Sequence, residues 1–139
     1  MHIPTIIEVE YVAHALAQEL MSYNEPIPEF STRFPEVLES CLATPFQVYG
    51  GRYIYPEFLR KAAMLFYLLI KNHPFKNGNK RIAVMVLLYF LSKDKKWITI
   101  DTTALYNFAV WVAHSPADSK DDVVNAIVNF LKKNVVSED

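Results

Sequence analysis

The run His73-Pro74-Phe75-Lys76-Asn77-Gly78-Asn79-Lys80-Arg81 gathers the residue types that phosphate chemistry uses. A histidine opens it, and an imidazole can accept a proton from an attacking hydroxyl near neutral pH. Gly78 permits a positive φ and close backbone approach. Lys80 and Arg81 then fall in the first turn of an expected helix, where the leading amide hydrogens lack intrahelical partners and the dipole is positive. Cations there oppose the dipole by roughly 0.3–1 kcal/mol each, and a local rule broken in this way often marks a functional site. A polyphosphate held at the loop reverses the sign, because amides, lysine and arginine then all meet an anion. These parts fit phosphoryl or nucleotidyl transfer, in which positioning and charge stabilisation dominate.

Two helices must hold this loop. Residues 56–72 carry Phe58, Ala62, Leu65, Phe66 and Leu69 at helical spacing, and Met64, Tyr67, Leu68 and Ile70 make the segment apolar nearly all round. Residues 79–94 read the same way, so both should lie in the middle of a domain. His73 precedes a proline, which pushes it out of the right-handed helical region and ends the first of the two near Asn72.

The remaining elements enclose that pair. Thr5 and Glu8 have capping-box spacing ahead of Val9, Val12, Ala13, Leu16 and Leu20. Residues 23–30 read as a proline-interrupted loop. A short helix follows, with Pro35 in its first turn and Val37, Leu38 and Leu42 on one face. Around Gly50-Gly51, the runs 46–49 and 52–55 suggest a two-stranded hairpin, with an irregular aromatic loop as the alternative. Residues 97–100 form a short extended piece. Asp101 is expected to cap a helix containing Leu105, Phe108, Ala109 and Val112. Ser119 is expected to cap a last one with Val123, Val124, Ile127, Phe130 and Leu131, closed by Lys132 and Lys133.

Bulk properties exclude several classes. The chain has 139 residues, 52% of them hydrophobic, enough for one packed domain, 1–139. A net charge of -1 offers no basic footprint for nucleic acid or an anionic membrane. The apolar stretches 62–70 and 82–91 fall short of the roughly 20 residues that span a bilayer. The N-terminus lacks a basic region followed by an apolar core, so no secretory signal is expected. One cysteine, Cys41, allows no internal disulfide and suits a cytoplasmic protein. His2, His14 and His114 lack the mutual spacing of metal ligands.

The nine-residue run resembles the signature of the Fic/Doc family: a histidine, a phenylalanine two positions on, an acidic residue, Gly or Ala, then Asn-Gly-Arg or Asn-Lys-Arg. The Asn79-Lys80-Arg81 ending is similar to the Doc, or death-on-curing, branch. Leu38-Glu39-Ser40-Cys41-Leu42, the Gly-Gly segment and the helices flanking the motif follow the Doc order, so the resemblance covers about residues 30–115. It implies a mainly α fold, a Fic/Doc-like bundle of about six helices with a small β-hairpin flap.

The resemblance makes His73 the base that deprotonates a target hydroxyl and Phe75 the structural anchor of the loop. Gly78, Asn79, Lys80 and Arg81 correspond to nucleotide phosphate contacts. Val48, Tyr49, Gly50, Gly51, Arg52 and Tyr53 correspond to the flap that aligns the target as an added strand. Lysine at position 80, where Fic proteins carry glycine, goes in the family with transfer of phosphate rather than AMP. The implied function is a Doc-type toxin of a toxin–antitoxin system. It would use ATP and Mg²⁺ and modify a hydroxyl of a translation factor such as elongation factor Tu. Its restraint would come from a separately encoded antitoxin. The Ser/Thr-x-x-x-Glu-Gly/Asn pattern of built-in inhibitors has its nearest approach at Thr32 and Glu36, followed by Val37 instead of Gly or Asn.

One departure bears on activity. Asn77 stands where the family carries its acidic residue, and an amide oxygen is a poorer Mg²⁺ ligand than a carboxylate. Asn77 is thus a weak metal candidate. The alternatives to phosphate transfer are Fic-type AMP or nucleotidyl transfer, and a catalytically weakened relative that binds protein.

Overall fold

The computed structural model describes residues 1–17 and 26–138. Leu20 and Tyr23, read from the sequence as part of the first helix and of the following loop, lie outside the described residues. Helix α1, Ile6–Tyr11, runs on as a wider π-helical stretch, Val12–Ala17, which the sequence pattern did not signal. The expected capping box is present: Glu8 N–H donates to Thr5 Oγ1 at 3.2 Å, and Thr5 N–H donates to Glu8 Oε1 at 3.0 Å. Helix α2, Pro35–Ala43, starts on its proline and buries Leu38, Cys41 and Leu42. Cys41 donates to Leu68 O at 3.5 Å, and burial pushes its thiol up to about 11, so it serves as packing.

The hairpin forms but is shorter than 46–55. Strand β1, Val48–Tyr49, pairs antiparallel with β2, Arg52–Tyr53, in the register Val48↔Tyr53 and Tyr49↔Arg52. Gly50 and Gly51 both have positive φ, 59° and 77°, as a tight hairpin turn of right-handed twist requires. Phe46 leaves the hairpin for a buried turn, Thr44–Phe46, and packs on Phe90 with ring centroids 5.6 Å apart.

Helices α3, Phe58–Lys71, and α4, Asn79–Lys93, form the centre. Every residue of α3 from Lys61 to Ile70 is buried, in keeping with its all-round apolar sequence. Helix α3 packs on α4, on α2, on α5 (Thr102–His114) and on α6 (Lys120–Asn134). Phe66, Phe108 and Phe130 stack across α3, α5 and α6, with Phe108 and Phe130 centroids 4.0 Å apart. Asp101 caps α5 by accepting from Ala104 N–H at 2.8 Å. Ser119 precedes α6, but its hydroxyl makes no capping bond, so Asp121 and Asp122 supply the favourable charge at that terminus.

A second two-stranded sheet joins β3, Lys96–Ile98, to β4, Val135–Ser137. The extended piece near Trp97 was expected, whereas its partner strand was not. Two valines after a helix carry too little pattern to be read without the strand they pair with. The fold is mainly α, with six α-helices among the described residues and a small antiparallel hairpin. No described helix is long and apolar enough to cross a membrane.

Glu8 also fastens α1 to the centre by accepting from the Tyr89 hydroxyl on α4 and from His2. Burial raises its carboxyl, but the bonds from Tyr89, His2 and Thr5 outweigh that and bring it down to about 2 from 4.5. The same bond, with burial and the Glu8 charge, pushes the Tyr89 phenol up to about 12. A depressed carboxyl contributes stability that is complete above the unfolded value and is lost as pH falls from about 4.5 toward 2. Glu8→Gln is therefore expected to flatten the acid limb of a urea-monitored stability curve in that window. The difference should be on the order of 1–3 kcal/mol after solvent screening is discounted, and parallel acid limbs would exclude this role for Glu8.

Candidate active site

The loop between α3 and α4 is held from several sides. Helix α3 ends with Asn72 N–H bonded to Leu68 O at 3.0 Å, and His73 then turns the chain with φ 51°. The proline after His73 does displace it from the right-handed region. It enters the left-handed region rather than the extended one, as residues just past a helix end often do. Glycine or asparagine adopts this conformation cheaply, and a histidine there stores backbone strain of order 1 kcal/mol or more. The imidazole is solvent-exposed at the loop entrance.

Beyond Pro74 the chain dives inward. Phe75 is 2% exposed and its ring lies against Phe30, centroids 5.8 Å apart. Phe30 in turn carries the Arg33 guanidinium over its face at 4.4 Å and meets the edge of His14. Pro74 O accepts from Phe34 N–H at 2.9 Å. The Asn79 side chain closes the loop from inside: its Oδ1 accepts from Phe75 N–H at 3.0 Å and its Nδ2 donates to Phe75 O at 2.9 Å. Asn79 is 7% exposed, so its carboxamide is spent on the loop and its backbone amide is what it offers at the helix start.

Gly78 takes φ 76°, and a Cβ there would stand 2.7 Å from Ile27 Cδ1 and 2.9 Å from Pro26 O. Close approach of the 26–27 backbone, together with the left-handed turn, requires glycine. Residues 26–34 thus brace the loop through Pro26, Ile27, Phe30 and Phe34. Motif reading missed these residues, since their only sequence signal was a proline-interrupted stretch.

Helix α4 begins at Asn79 with no side-chain cap, and its first closing bond is Ile82 N–H to Gly78 O at 2.9 Å. The amides of Asn79, Lys80 and Arg81 precede that bond and form the positive end of a fifteen-residue helix. Lys80 is half-buried and Arg81 is 5% exposed, and both already interact within the protein. Arg81 is therefore part of the packed wall rather than a solvated charge at the helix start. Lys71 anchors the other end of the loop by donating to Ala113 O and Ser115 O at the end of α5.

The loop has the chemistry of an anion site. No carboxylate occurs between His73 and Arg81. Asn77 Oδ1, the candidate metal ligand, accepts from Gly78 N–H at 2.8 Å. No described group of three His, Cys, Asp or Glu side chains could hold a metal ion. These donors do not fit a resident divalent cation.

The hairpin roots at the opposite end of α3 from His73. Tyr49, at 84% exposure, and Val48 present apolar side chains to solvent.

With this geometry, the class is a helical domain whose central helix pair carries a left-handed histidine and a helix start with two adjacent cations. A sequence model of the Fic/DOC family matches residues 7–91, from α1 to the end of α4, and the chain belongs to that family. No curated protein and no solved structure matches it.

If His73 is held in the left-handed region by the closures on either side of it, His73→Gly should leave the ligand-free protein as stable as before, or more stable by up to about 1 kcal/mol. Urea unfolding measures this, and a clear loss of stability would show that the imidazole itself holds the loop.

Proposed function

We propose that this Fic/DOC protein transfers phosphate from ATP to a hydroxyl of a target protein, as a Doc-type toxin of a toxin–antitoxin pair does. The observation that carries the reading is the single braced loop that places the exposed His73 imidazole and the amide-rich start of α4 at its two ends. His73 takes the proton of the attacking hydroxyl. The oxygen bonds to the γ-phosphorus, the bond to the β-γ bridging oxygen breaks, and ADP leaves. The amides of Asn79, Lys80 and Arg81, with the Lys80 ammonium, stabilise the charge that spreads over the phosphate oxygens. The Lys80 side chain, where AMP-transferring relatives carry glycine, favours phosphate transfer over nucleotidyl transfer. The proposed target class is a translation factor such as elongation factor Tu, acting in the cytoplasm, with a separate antitoxin as regulator.

ATP labelled on the α- or the γ-phosphate, incubated with Mg²⁺, the protein and purified translation factors, tests this. Label transferred from the γ position alone is expected, and His73→Ala should reduce it at least about 100-fold while leaving the fold intact. Label from the α position would instead establish nucleotidyl transfer. Label from neither would favour a protein-binding relative.

Asn77 gives a separate test. A carboxylate at this position could still accept from Gly78 N–H and would add an anionic metal ligand beside the phosphates. Asn77→Asp is therefore expected to raise turnover several-fold across a Mg²⁺ titration. Equal or lower turnover would remove position 77 from metal binding.

A further inference from the structure

The hairpin is too small to hold its own position. It has two residues per strand, both exposed, and an isolated hairpin of this kind is marginal in water. Its incoming side is anchored by buried Phe46, packed on Phe90. Its outgoing side is held less firmly: Tyr55 packs half-buried against the core, while Ile54, Pro56 and Glu57 are exposed. The backbone ties there, among the described residues, are Ile54 N–H to Gln47 O at 2.9 Å, within the hairpin itself, and Lys61 N–H to Glu57 O at 3.1 Å, where α3 begins.

The Lys61 side chain adds the polar hold on this arm. It sits in the first turns of α3 and is 2% exposed. Its ammonium donates to Tyr55 O and, at 3.0 Å, to Pro56 O, and it lies 4.1 Å from the centroid of the Tyr53 ring. A lysine among the most buried residues of the chain is costly unless its charge is met, and here two carbonyls and an aromatic face meet it. Every one of those partners belongs to the outgoing arm of the hairpin. Burial also lowers the Lys61 ammonium from its ordinary value, consistent with a group enclosed by the hairpin and α3.

We infer that Lys61 is the positioning residue of the flap, fixing the exit of the hairpin to the helix that carries His73 at its far end. Helix α3 then acts as a ruler: about 15 Å of helix, at about 1.5 Å per residue, separates Lys61 from Lys71, just ahead of the loop. A target strand aligned on the hairpin is thereby set at a constant offset from the base. The consequence for turnover rests on the transfer reading above; the consequence for the hairpin does not.

Lys61→Met keeps the length and apolar stem and removes the ammonium. Amide hydrogen exchange of residues 48–56 should quicken at least about 10-fold, with exchange in α3 and α4 unchanged. In the labelled-ATP assay, KM for the target protein should rise about 10-fold while kcat and the KM for ATP hold. Lys61→Arg, which restores donors to the two carbonyls, should recover part of the protection. Unchanged exchange in 48–56 for Lys61→Met would overturn the inference whether or not the protein transfers phosphate. Should that variant unfold, Tyr53→Leu removes only the ring contact, and its hairpin should exchange faster than the wild type; an unchanged rate there would equally overturn it. A protected wild-type hairpin that loosens in Lys61→Met, in a protein without transferase activity, would support the clamp and refute the transfer reading.

Discussion

The carboxamide of Asn79 is the interaction on which the rest of the site depends. It bonds both backbone groups of Phe75, and it does so inside the domain, where an unpaired amide is costly and a satisfied one is strong. That closure draws Phe75 onto Phe30 and sets where the loop re-enters as α4. The asparagine carboxamide is thereby directed back to the loop, and Gly78, at the N-cap of α4, has no side chain with which to cap the helix.

Strain and support are distributed around that bond. His73 and Gly78 both adopt left-handed backbone, but for different reasons. At Gly78 the approach of Pro26 and Ile27 leaves no room for a side chain, so glycine is a packing necessity. At His73 nothing in the backbone demands an imidazole, and the residue holds a conformation that favours glycine. Lys71 behind the loop and Pro74, bonded to Phe34, in front of it keep that strained turn from relaxing.

Charge is placed with similar economy. The described ionisable groups with large shifts lie outside residues 73–81: Glu8 is brought low by its hydrogen bonds, and Cys41 and Tyr89 are pushed high. Glu8 and Tyr89 join α1 to α4, and Cys41 joins α2 to α3, so these groups fasten the peripheral helices to the central pair. Lys61 does the same for the hairpin. In each case a polar group at the edge of the apolar centre fixes the direction of an element that hydrophobic contact alone would leave free to slide.

The sequence by itself determined the helical elements and the set of residue types in the loop. Capping signals at Thr5, Pro35 and Asp101, all-round apolar segments and the Gly-Gly turn are local features, legible because helix and turn energetics depend on residues a few positions apart. The motif was legible for the same reason, its parts being contiguous. What only the tertiary structure decided is everything that depends on distant neighbours. That includes the left-handed sense of His73, the brace from residues 26–34 and the burial of Arg81. It also includes the second sheet, in which Val135–Ser137 becomes a strand only because Lys96–Ile98 is beside it. Local propensity sets which element forms; it carries no information about a partner far along the chain, and packing against that partner chose these conformations.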